Sequence, residues 1–82
     1  MTEEEAAIIR KARAMKALLE NGDFFELIVE GFIRDDIARI ALNDDVENPR
    51  VQDELKARKI LYRHIHDTIQ QGETLLEQLQ GE

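Results

Sequence analysis

The chain has 82 residues, which bounds it to one domain at most, with a core of marginal size that often needs oligomerisation to stabilise it. It contains no cysteine, which excludes disulfides, thiolate metal sites and a cysteine nucleophile. Its net charge of −7 argues against sequence-independent nucleic-acid binding, where phosphate neutralisation supplies most of the affinity, and against anionic membrane surfaces.

The first predicted element is a helix over about residues 3–20. Thr2 stands as N-cap with Glu5 three residues on, the spacing of a capping box, and Glu3 and Glu4 suit the positive end of the helix dipole. Ile8, Ala12, Met15 and Leu19 form an apolar stripe at steps of four and three. Asn21-Gly22 reads as a C-cap, because both residues tolerate the left-handed conformation. The start Met1-Thr2-Glu3-Glu4-Glu5 lacks the basic region and apolar core of a signal peptide, so the expected location is cytoplasmic.

The second predicted helix covers about residues 23–42, with Asp23 as N-cap and Glu26 at the box position. Phe24, Phe25, Leu27, Ile28, Val29, Phe32 and Ile33 surround nearly its whole circumference, leaving the line Glu26, Glu30, Arg34 polar. A helix apolar almost all round is central in a fold or lies in an interface. The apolar stretch is too short to span a bilayer and is broken by Glu26 and Glu30. Arg34-Asp35-Asp36 interrupts the pattern: Asp35 could cap a separate short helix, Ile37 to Leu42, but one helix over about 23–42, kinked there, is the favoured reading. Asn43 to Glu47 forms the second turn.

The third predicted helix, about residues 49–79, opens on Asn48-Pro49, an N-cap followed by proline at the first helical position. Val51, Leu55, Arg58, Tyr62, Ile65, Ile69, Gly72, Leu76 and Leu79 fall at alternating steps of four and three, a coiled-coil-like seam. Short turns make neighbouring helices antiparallel. Packed only on the second helix, the third would run out of cover near Thr68, at about 1.5 Å of rise per residue. Ile69, Leu75, Leu76 and Leu79 would then overhang beside Phe24, Phe25, Phe32 and Tyr62, and the chain would need a partner for this surface and for Ile65. Arg58, polar within the seam, is the candidate for setting register by reaching an acid on a neighbouring helix. The four aromatic residues are expected to serve packing and not ligand stacking.

No constellation identifies a reaction. His64 and His66 are two residues apart and point to opposite sides of a helix, so they cannot share a metal. Asp44, Asp45, Glu47 and Asn48 lack the spacing and the glycine of a calcium loop. Asp35-Asp36 has no accompanying nucleophile and reads as a solvated break in the helix. The glycines are isolated and make no phosphate loop. Arg10, Lys11, Arg13 and Lys16, and the stripe Lys56, Lys59, Arg63, read as solvated faces paired with acids. No catalytic residue, metal site or cofactor is expected.

The run Leu18-Leu19-Glu20-Asn21-Gly22-Asp23-Phe24-Phe25-Glu26-Leu27-Ile28-Val29-Glu30-Gly31-Phe32, with the acidic pair Asp35-Asp36 and the later step Gln71-Gly72-Glu73, resembles small acidic helical proteins of tailed bacteriophages. The resemblance covers about residues 18–80 and carries no catalytic residue across. It implies a viral setting, in the host-cell cytoplasm or with the virion, and a role in virion assembly, packaging or host takeover.

These readings converge on an all-α, three-helix protomer that self-associates and serves protein–protein interaction or scaffolding, with a viral or host protein as further partner. Two rivals stand beside it. Residues 21–49 carry eight acids against Arg34 and Arg39, which suits a phosphate-mimicking inhibitor of a host nucleic-acid enzyme. The basic stripes suit a small DNA-packaging accessory.

Overall fold

The computed structural model describes residues 1–81 and, among them, contains helices and no strand. Helix α1 spans Glu3–Glu20. Its capping box is complete: the Thr2 hydroxyl accepts from the Glu5 N–H at 3.0 Å, and the Glu5 carboxylate accepts from the Thr2 N–H at 2.9 Å. Those bonds, the one from the Thr2 backbone first, hold the Glu5 carboxyl below its ordinary pKa.

The junction after α1 is tighter than the sequence predicts. Asn21 donates its N–H to Leu18 at 3.1 Å, while its side-chain oxygen accepts from the Phe24 N–H at 3.0 Å. One residue therefore ends α1 and caps the next helix. Asp23, expected as the cap, sits inside the first turn, and no residue takes a positive φ among those described. The side-chain amide supplies the acceptor that the first turn needs, so no left-handed glycine is required.

Helix α2 runs continuously over residues 22–43 but changes its winding twice. Gly22–Phe24 is α-helical, Phe25–Asp35 is π-helical, and Asp36–Asn43 is α-helical again. π-Helix is mostly confined to single-turn bulges, so an eleven-residue run is unusual. Phe25, Val29, Ile33 and Ile37 recur every four residues, the spacing of neighbours on one helix face. All four line one groove. Gly31 accommodates the winding, since a Cβ there would lie 3.1 Å from the carbonyl oxygen of Glu26, five residues back. Asp35, which could have capped a separate helix, keeps helical dihedrals and caps nothing.

The turn after α2 closes through Asp45, whose carboxylate accepts from the Glu47 N–H at 3.0 Å and whose carbonyl accepts from the Asn48 N–H at 3.0 Å. Asn48 then caps helix α3, Pro49–Gln80, by accepting from the Arg50 N–H at 2.9 Å. All three helices lie within a residue or so of their predicted limits.

Where α3 packs differs from the expectation. Its second half does not overhang. Helix α1 lies along it, and this is the most extensive helix pairing in the fold. Gly72 is buried against Ala12 so closely that a Cβ on Gly72 would collide with the Ala12 Cβ. Lys16 pairs with Glu73 at 3.2 Å. Ile69, Leu75, Leu76 and Leu79 are half-buried, and Ile65 is buried. The apolar stripe of α1 needed cover as much as the end of α3 did, and two small residues let the backbones approach.

The resulting body measures 51 × 27 × 19 Å. Its radius of gyration is 16.2 Å, whereas a compact domain of this length would have about 12 Å. The core is thin: among the described residues the buried apolar side chains are Ile9, Ala12, Ile33, Ile40 and Ile65. No helix is long and apolar enough to cross a membrane.

Candidate functional site

The principal concavity is an open groove of about 790 Å³ between the π-helical segment and the middle of α3. One wall is the four-residue line from Phe25 to Ile37. The facing wall is Tyr62, Ile65 and Ile69, spaced by three and four residues on α3, and Leu19 of α1 closes one end. Charged residues of both signs stand at its edge: Glu30 and Glu73, Arg34 and Lys59. Phe25 and Tyr62 remain 39% and 56% exposed, which for side chains of this size leaves substantial apolar area facing water.

The groove gathers some of the residues that the sequence nominates for an interface and separates others. Phe25, Tyr62, Ile65 and Ile69 line it. Phe24 is half-buried beside the start of the π-helical run and does not line the groove. Leu75 borders a shallower cleft formed with Ile8 and Glu5 of α1. Leu76 and Leu79 belong to the part of α3 that α1 accompanies, so the expectation that these three leucines await an outside partner is corrected. Val29, Ile33 and Ile37 join the groove without having been nominated. The signal for them is a four-residue spacing, which puts neighbours on one helix face.

Phe32 is neither core nor groove. It keeps 38% exposure, and the Arg58 guanidinium lies 4.3 Å from its ring centroid. Its packing role is therefore that of a platform for Arg58. Each nitrogen of the Arg58 head makes one contact. Nε donates to the Phe32 carbonyl at 3.2 Å, Nη1 to the Glu54 carbonyl at 3.0 Å, and Nη2 meets the Asp36 carboxylate at 3.4 Å. This site connects to the change of winding. At the end of the π-helical run the Asp36 N–H donates to Gly31 and Ile33, not to Phe32, its acceptor in an α-helix. Arg58 takes that carbonyl instead. The sequence expectation that Arg58 reaches an acid on a neighbouring helix holds, and the acid lies in the same chain.

The acids of the central segment are largely engaged locally. Glu30 pairs with Arg34 at 3.0 Å, Asp35 with Arg34 at 3.5 Å, and Asp36 with both Arg39 and Arg58 at 3.4 Å. Asp36 is thus an interhelical anchor and not the solvated break that the Asp35-Asp36 pair predicts. The stripe Lys56, Lys59, Arg63 is exposed and lines a shallow cleft with Leu55 and Ile60. His64 is exposed, and His66 lies 3.5 Å from Asp67 at the groove edge. Among the described residues no group of three potential metal ligands comes together.

Comparison with protein-family models, curated proteins and solved structures yields no match. What fold and site define is a class: a small, elongated all-helical protein with an apolar groove beside a π-helical segment.

Proposed function

We propose that this chain is a non-enzymatic protein–protein interaction module that self-associates, with scaffolding as its role. The observation that carries this reading is the groove between Phe25–Asp35 and α3, whose aromatic and aliphatic walls are open to solvent in a chain with a thin core. Exposed apolar surface of this kind marks interaction sites. An antiparallel arrangement of successive helices is part of the proposal, supported for α2 and α3 by the short turn between them and by the Arg58–Asp36 pair. A tailed-phage setting, in virion assembly or as an accessory, rests on the resemblance of residues 18–80 alone.

Sedimentation velocity from low to high micromolar concentration tests the reading. The expected result is a concentration-dependent rise in mass at constant helicity. Each copy carries a net charge of −7, so association should tighten as salt rises and screens the repulsion. A monomer throughout, with a cooperative melt, overturns it.

A further inference from the structure

The deficit in self-burial shows that the chain has surface to give to a partner. The chain exposes 6301 Å². A compact protein of its mass, 9.5 kDa, would expose about 5,000 Å². The surplus exceeds the roughly 800 Å² that each partner contributes to a standard-sized stable interface.

We infer that the groove takes the same groove of a second copy, in a two-fold dimer that packs the π-helical face and the middle of α3 against their equivalents. The inference rests on the self-association proposed above and adds where and how it occurs. Three features support it. The surplus area is sufficient for a dimer. The walls present two ridges, Phe25 to Ile37 and Tyr62 to Ile69, and two copies of a two-ridged surface can interdigitate as helices do in a four-helix layer. The edge carries both signs, Glu30 and Glu73 against Arg34 and Lys59. A self-facing surface requires such balance, because each residue type must tolerate its own copy's neighbours across the axis.

The absence of cysteine permits a direct test on the full chain. Tyr62→Cys places a thiol in the groove wall, and Leu42→Cys places one on an 85% exposed position outside it. A short bis-maleimide should cross-link the Tyr62→Cys chain to covalent dimer at least ten times faster than the Leu42→Cys chain. Tyr62→Asp, at a position already 56% exposed, should retain its helicity, melt as the parent does when diluted to monomer, and sediment as a monomer where the parent is a dimer. A parent dimer that persists with Tyr62→Asp, or cross-links faster through Leu42→Cys, overturns the groove-to-groove inference while leaving self-association intact. A parent that is monomeric at every concentration overturns both, and assigns the groove to a different protein.

Discussion

Helix α3 is packed by opposite means along its two halves. Toward its C-terminal end it meets α1 through Gly72 and Ala12, small residues that bring the helices together until nothing larger fits. Toward its middle it faces α2 through Tyr62, Ile65 and Ile69 on one side and the π-helical line Phe25, Val29, Ile33, Ile37 on the other, and a groove stays open between them. The π-helical segment is the more apolar sequence, yet it is the one left open. The difference lies in side-chain size at the contact. Small residues allow backbone approach and close the interface within the chain, whereas large ones hold the helices apart and leave their own flanks exposed.

The largest effect should come from the packed end of α2, which serves as the reference for both regions. Ile40 is the most completely buried residue, at 1% exposure, and sits where the α-helical end of α2 supports the fold. Ile40→Ala should cost about 2–5 kcal/mol in urea denaturation, from lost burial plus the cavity left behind. A loss below 1 kcal/mol would show that this end of α2 relaxes freely, and the distinction between a packed and an open region would fail.

At the tight seam, Gly72→Ala should destabilise by about 1–3 kcal/mol, although alanine is the better helix former, because its methyl has no room beside Ala12. Ala12→Gly in the same chain should recover part of the loss. If Gly72→Ala is stabilising, helix propensity outweighs contact and the seam is looser than drawn.

Between the two regions, Arg58→Met keeps an apolar stem but removes the bonds to the Phe32 carbonyl and Asp36. The expected cost is about 1–2 kcal/mol. Amide exchange should accelerate most around Phe32 and Asp36. Uniform acceleration across the chain would mean that Arg58 does not stabilise the change of winding in particular.

At the groove itself, Tyr62→Ala should change the stability of the monomer by no more than about 0.5 kcal/mol, measured at low concentration. A large loss would place Tyr62 in the core and close the groove as a candidate site.

The smallest effect concerns the start of α1, far from both regions. Thr2 holds the Glu5 carboxyl below its ordinary pKa. A depressed carboxylate contributes stability that is present above the unfolded pKa and lost as pH falls through the folded one. The first turn of α1 should therefore fray in acid, at pH below the ordinary glutamate range, and Thr2→Ala, which removes the hydroxyl but keeps the backbone donor, should weaken that dependence. Chemical shifts of residues 3–6 against pH would report it.

Much of the architecture was legible in the chain. Thr2 with Glu5, and Asn48 with Pro49, mark helix starts because capping is chemistry between residues a few positions apart. The reach of Arg58 to a neighbouring acid could also be anticipated, since a long cation inside an apolar seam must find a partner. Asn21 in place of Asp23 as the cap was a choice between two competent side chains, which geometry settled.

The candidate site was half legible. Phe25, Tyr62, Ile65 and Ile69 were identifiable as interface residues from size and spacing. Val29, Ile33 and Ile37 were not, because α2 is apolar nearly all round and periodicity could not say which of its sides lines the groove. The leucines at 75, 76 and 79 were misplaced for a related reason. Periodicity along α3 shows that a face seeks cover, but it does not say which helix supplies it. Local hydrogen-bonding chemistry, set by near neighbours in the chain, determined where the helices begin and end. The pairing of α1 with the end of α3, and the groove left beside α2, depend on side-chain volumes that meet from distant positions, and only the tertiary structure decided them.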